Sequence, residues 1–94
     1  MGRLLPFLFF LAALAAAEIA RNGVVNAASP AIGIAPGSRF VIRGVGLSGP
    51  VRIGGREIPV IRQSKTLIEA WLPPEQAAGV HTLEVAGERR SITI

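Results

Sequence analysis

One histidine, five serines and six glutamates are the side chains from which this chain could assemble hydrolytic chemistry; Cys, Asp and Tyr are absent. Nucleophilic catalysis needs a nucleophile, a base beside it and a group that orients the base. Ser29, Ser38, Ser48, Ser64 or Ser91 with His81 and a Glu would satisfy that requirement by composition alone. Nothing in the sequence places any of these serines on the strained strand-to-helix elbow that exposes a nucleophile. His81 alternates with Thr82 and falls on the same side of its segment as Leu83 and Val85, so it reads as a half-buried substitute for an aromatic residue. The glutamates are dispersed and mostly fall on the solvent side of predicted strands. The facing carboxylate pair of a glycosidase is therefore not indicated. The expectation is a chain without catalytic residues.

Metal and cofactor sites fare no better. Without Cys there is neither a disulfide framework nor a thiolate zinc site. A calcium cage draws on closely spaced Asp and Asn, and no such cluster exists. Gly44-Val45-Gly46 and Gly54-Gly55 are glycine-rich, but neither leads into a helix whose N-terminus would hold a phosphate. No cofactor and no metal are expected.

Trp71 is the residue with the most to offer a partner. Alternation from Ile68 to Leu72 places Leu67, Glu69 and Trp71 on one face and Ile68, Ala70 and Leu72 on the other. An exposed Trp beside Leu67 gives a large rigid contact, either for a protein or for the face of a sugar. Leu67, Glu69 and Trp71 are thus the candidate interaction surface. A multi-ring sugar platform would need further aromatics, and the chain has one Trp and no Tyr.

The elements that must hold this surface are short and closely punctuated. Glu18–Ser29 opens as a strand with a loose start. Ala35-Pro36-Gly37-Ser38 is a turn ahead of the strand Arg39–Arg43, in which Phe40 and Ile42 share the inner face. Gly44–Pro50 is a loop. Val51–Ile53 and Arg56–Arg62 are strands joined through the hairpin signal Gly54-Gly55, with Pro59 at an edge or bulge. Thr66–Leu72 is a strand stopped by Pro73-Pro74, and Pro74–Ala78 has room for one helical turn. Two closing strands flank the turn Ala86-Gly87-Glu88. About seven short strands separated by turn signals imply an all-β, antiparallel sandwich. Its expected core is Phe40, Ile42, Ile53, Ile68, Leu72, Leu83, Val85 and Ile92.

The chain has 94 residues and a formal net charge of +4, with half its residues hydrophobic. Its first residues differ in kind from the rest. Arg3 precedes the apolar run Leu4–Leu14, and Ala15-Ala16-Ala17 then supplies the small residues of a cleavage site. This is the architecture of a secretory signal peptide. The apolar stretch to Ala17 is 14 residues, short of the roughly 20 that a spanning helix needs. Residues 1–17 are therefore expected to be a helical signal peptide and residues 18–94 one exported domain, secreted or held outside the cytoplasm, with no stable membrane insertion after cleavage. Arginines scattered from Arg21 to Arg90 do not form the concentrated patch of a nucleic-acid footprint.

From Gly23 onward the chain resembles the IPT/TIG family of immunoglobulin-like domains, in a variety seen in secreted bacterial proteins. Ala35-Pro36-Gly37-Ser38 with Phe40–Leu47 is similar to the family's Pro-Gly turn, strand and G-x-G-L loop. Val51–Gly55 is similar to its V-x-V-G-G hairpin, Ser64–Pro73 to its S-x-T-x-I strand, and Gly79–Val85 to its G-x-Y-x-V-x-V strand, with His81 in place of the aromatic. The opening Val24–Ser29 is similar to the secreted variety. The resemblance implies an immunoglobulin-like sandwich and a non-catalytic binding or scaffold module, whose partner is a protein or a cell-surface or extracellular polymer. The alternatives are a carbohydrate-binding module using Trp71 and, least favoured, a secreted hydrolase.

Overall fold

The structure, a computed structural model, describes residues 17–29 and 33–94. The signal-peptide helix expected at residues 1–17 lies, but for Ala17, outside the described residues. Eight strands follow in chain order: β1 (Glu18–Asn26), β2 (Arg39–Val45), β3 (Val51–Ile53), β4 (Arg56–Ile58), β5 (Val60–Gln63), β6 (Leu67–Trp71), β7 (Val80–Val85) and β8 (Glu88–Thr93). They form two antiparallel four-stranded sheets, ordered β1-β2-β6-β5 and β4-β3-β7-β8. Among the described residues there is no helix. Where Pro74–Ala78 had room for one helical turn, the chain makes a single tight turn over Pro73–Gln76, closed by the Gln76 N–H on the Pro73 carbonyl at 3.1 Å.

The strands exist because their alternation matches a two-sided environment. In β2 Phe40 and Ile42 are fully buried while Arg39 and Arg43 are exposed; in β3 Val51 and Ile53 are buried around exposed Arg52. Ile19, Phe40, Ile42, Ile68 and Ala70 of the first sheet meet Val51, Ile53, Ile58, Leu83, Val85 and Ile92 of the second in one apolar cluster. All eight expected core residues lie in it. Ile19, Leu47, Val51, Ile58 and Ala70 join them. Leu47 lies outside any strand, yet its N–H bonds the Lys65 carbonyl at 2.9 Å and its side chain is buried. The loop after β2 is thereby tied to the connection between β5 and β6.

The count of strands departs from expectation at Pro59. The segment Arg56–Arg62 is two strands in different sheets, because the chain crosses from the second sheet to the first at this proline. Proline has no N–H for a ladder, and its carbonyl instead accepts the Trp71 N–H at 3.0 Å. Alternation also fails there: Ile58 is buried, but Val60 and Ile61 are both exposed.

Turn chemistry follows the sequence closely. Gly54 and Gly55 have φ of 61° and 82°, the left-handed pair required by a two-residue hairpin of the I′ kind, and they join β3 to β4. The Pro36-Gly37 turn is closed by the Ser38 N–H on the Ala35 carbonyl at 3.1 Å and is tied to the end of β6 by the Gly37 N–H on the Leu72 carbonyl at 2.7 Å. Asn26 ends β1. Its side-chain oxygen accepts the Ala28 N–H at 2.8 Å, and its amide nitrogen donates to the Gly33 carbonyl at 3.1 Å. A side chain that mimics a backbone turn is what asparagine supplies at such a place.

The loose start expected of β1 is an irregularity in its pairing with β2 between Ile19 and Val24. The carbonyls of Ile19 and Ala20 are satisfied by the Arg90 guanidinium, at 2.7 and 3.0 Å. Arg90 thus ties β8 of one sheet to β1 of the other.

Candidate functional site

The outer face of the first sheet is built by register. Across β2 and β6, Arg39 stands opposite Trp71, Val41 opposite Glu69 and Arg43 opposite Leu67. On the other side of β6, Arg62 of β5 stands opposite Glu69. The three residues expected to form the interaction surface therefore do share one face, at successive outward positions of a strand with neighbours on both sides.

Their exposures differ, and one corrects the sequence reading. Trp71 is 36 % exposed and Leu67 is half-buried, but Glu69 is only 7 % exposed. The Glu69 Oε1 accepts from Arg62 Nε at 3.0 Å and lies 3.0 Å from Arg62 Nη2, while Oε2 lies 3.4 Å from Arg39 Nη1. On a central strand, long side chains from both neighbours lie over the outward positions. Two guanidiniums therefore cover the carboxylate that alternation alone leaves in solvent. Arg39 and Arg62 themselves remain mostly exposed. The face presents an indole flanked by arginines, and the single carboxylate leaves that group of charges net positive.

Arg39 and Arg62 are the members of this face that sequence reasoning missed. Arg39 was legible as an outward residue of β2. Its place beside Trp71 depends on the β2–β6 register, which no local pattern encodes. The buried carboxylate is fully engaged, which removes the cost of leaving a charge unpaired. The arginines are exposed enough that the ion pairs add little stability of their own.

The remaining chemistry-bearing residues are spread over the molecule. His81 Nε2 lies 2.8 Å from the Ala77 carbonyl oxygen, a local contact that holds the turn before β7. Ser38 Oγ is engaged within the Pro-Gly turn, and Ser64 Oγ caps the turn into β6 by accepting the Leu67 N–H at 3.1 Å. Among the described residues no group of three His, Cys, Asp or Glu side chains is placed to hold a metal ion. Arg56, 2.8 Å from Glu75, holds that exposed carboxyl below its usual value by hydrogen bonding. Phe40 is fully buried, so it adds no second ring to the Trp71 face.

A hollow of about 360 Å³ opens between β1 and β8, with Asn26, Val24, Arg90, Ser91 and Thr93 among its walls. Its lining mixes polar and apolar residues, and it lies on the opposite flank of the first sheet from β5, away from the Trp71 row. In comparisons with known proteins, no family model, no curated protein and no solved structure matches this chain.

Proposed function

We propose that residues 18–94 form a non-catalytic, immunoglobulin-like binding or scaffold module of the IPT/TIG kind, exported after removal of residues 1–17. Its interaction surface is the outer face of the first sheet around Trp71, Leu67 and Glu69, with Arg39 and Arg62. The partner is a protein or a cell-surface or extracellular polymer.

The observation that carries this reading is the exposed Trp71 on a sheet face whose neighbours are arginines in fixed positions. Trp and Arg are the residue types enriched at the energetic centres of interfaces. The strand order supports the fold type. Lettered A, B, C, C′, D, E, F and G in chain order, the eight strands divide into A-B-E-D and C′-C-F-G. That is the partition of an immunoglobulin-type sandwich with an added C′ strand. The hydroxyls of Ser38 and Ser64 bond within their own turns and His81 bonds the Ala77 carbonyl, so these groups are engaged apart from one another, which supports the non-catalytic reading.

Export is supported by the position of the first strand. β1 begins at Glu18, directly after Ala15-Ala16-Ala17, and Ile19 is already buried in the core. Cleavage after Ala17 would leave every strand intact. Mass spectrometry of the exported protein is expected to find Glu18 at the N-terminus. Recovery of intact Met1 in a membrane fraction overturns that assignment.

Trp71→Ala tests the surface. The side chain lies on the outer face, so the melting curve is expected to move little. Partner binding is expected to weaken by about 2 kcal/mol or more, the scale of an interface hot spot. The chain has a single Trp, so its fluorescence reports this site alone. Emission is expected to respond to an aqueous quencher and to lose that response when the partner is bound. Unquenched emission together with a large loss of stability would make Trp71 a core residue and remove the surface.

A further inference from the structure

The two sheets have four free edges, and three of them are blunted. β4 is three residues long, confined between Gly54-Gly55 and Pro59. β5 follows Pro59 and its pairing with β6 shifts between Val60 and Arg62. β1 is irregular between Ile19 and Val24, where two of its carbonyls are occupied by Arg90. Short length, proline and bulges are the devices that keep an edge from accepting another strand. β8 has none of them along its own length: it runs six residues in unbroken register with β7, without a proline, and its neighbour β1 meets it through the Arg90 side chain and across the hollow, with no backbone pairing between the two strands.

The outward groups of β8 can be identified. Gly79 and Ile94 exchange both backbone hydrogen bonds, at 2.9 Å each. Bonded and non-bonded pairs alternate along an antiparallel ladder, so Ile92, Arg90 and Glu88 turn their N–H and C=O toward β7. Arg89, Ser91 and Thr93 turn theirs outward. No hydrogen bond to the backbone of these three reaches them from beyond β7 among the described residues. Their side chains are exposed.

We propose that β8 is a self-association edge, on which a second copy of this chain adds its own β8 antiparallel about a two-fold axis at Ser91. The register of β8 suits a second copy. Placing Ser91 opposite Ser91 sets Arg89 opposite Thr93 and Arg90 opposite Ile92 of the other copy. All three outward-facing residues of each strand then gain both backbone partners, which gives about six hydrogen bonds across the edge. Like charges do not stand opposite one another. Sliding by two residues one way sets Arg90 against Arg90; sliding further sets Arg89 against Arg89, and like charges directly opposite are unfavourable. Sliding the other way leaves Arg89 beyond the end of the partner strand. The charge of Arg89, which would otherwise protect the edge, is turned toward Glu84 on β7 at 3.7 Å. The result is an isologous pair, the commonest symmetry of small assemblies, with the second sheets of two copies continuous across the axis.

The absence of native cysteine allows a direct test on the full chain. In the proposed register the two Ser91 Cα atoms are about 5.5 Å apart, within the range a disulfide spans. Thr82, on the same outer face but on β7, lies three strand spacings from its copy, roughly 14 Å. Under mild oxidation, Ser91→Cys is expected to give a covalent dimer on a non-reducing gel, and Thr82→Cys is expected to remain monomeric. Adding Thr93→Pro to Ser91→Cys removes an outward N–H without touching the β7 ladder. It is expected to reduce the covalent dimer severalfold while the melting curve stays in place. A monomeric Ser91→Cys whose thiol is open to a maleimide overturns the proposal. Equal cross-linking through Thr82→Cys, or dimer undiminished by Thr93→Pro in a protein that still melts normally, overturns it as well.

Discussion

Phe40→Ala is expected to cost about 3–5 kcal/mol, the range for a buried phenylalanine truncated in a core. The melting temperature should fall by roughly 12 °C or more for a domain of this size. Phe40 is fully buried on β2, a central strand, with β1 on one side and β6 on the other. Its neighbours across the ladder are Asn26 and Ala70. Ala70 is small, and Asn26 is committed to its turn by three hydrogen bonds, so neither can move in to fill the space. The cavity term therefore adds to the lost transfer free energy. Stability of the whole domain is of order 5–15 kcal/mol, and a small core with no disulfide sits toward the lower end. A calorimetric scan of wild type and mutant measures the difference. A change under about 1 kcal/mol would mean that Phe40 is not held in a rigid core.

Gly44→Ala is expected to be the next most damaging change, for a reason unrelated to backbone torsion. A Cβ at Gly44 would collide with the carbonyl oxygen of Glu18 and stand 3.0 Å from the Cα of Ile19 and 3.1 Å from the carbonyl carbon of Glu18. These are backbone atoms of the facing strand and no rotamer relieves the overlap. The start of β1 must separate from β2, and Ile19 leaves the core with it. Burial of an isoleucine is worth about 1.5–3 kcal/mol, and that is the expected loss. Gly23 marks the other side of the same close approach, with the Ala20 and Arg43 carbonyl oxygens each 2.7 Å from its would-be Cβ. Gly33→Ala serves as the control, because a Cβ there meets nothing within 4 Å among the described residues; its stability should stay within about 0.5 kcal/mol of wild type. Equal stability of Gly44→Ala and Gly33→Ala in urea titrations would show that β1 does not lie against β2 at Gly44.

Much of this fold is written locally. Alternation of apolar and charged residues assigns the inner faces of β2, β3, β6, β7 and β8, because side chains of a strand point to opposite faces with a period of two. Gly54-Gly55 and Pro36-Gly37 dictate their turns, because only a few residue types fit those backbone conformations. These are short-range properties, and from them the eight core positions, the all-β class and the outward side of Trp71 all follow.

Other features belong to pairs of residues far apart in sequence, and only the tertiary structure decided them. The passage of Arg56–Arg62 from one sheet to the other at Pro59 leaves a single run of strand-like residues in the sequence, because local pattern reports a strand but not which sheet receives it. Glu69 occupies an outward position by period and is nonetheless buried, because Arg39 and Arg62 arrive over it from two neighbouring strands whose register is set by the whole sheet. Ile19 and Leu47 lie in segments without clean alternation, and their burial depends on contacts with distant strands. Periodicity assigns a residue to a face; what covers that face is decided by strands from elsewhere in the chain, through close packing and hydrogen-bond pairing that act only once the sheets are assembled.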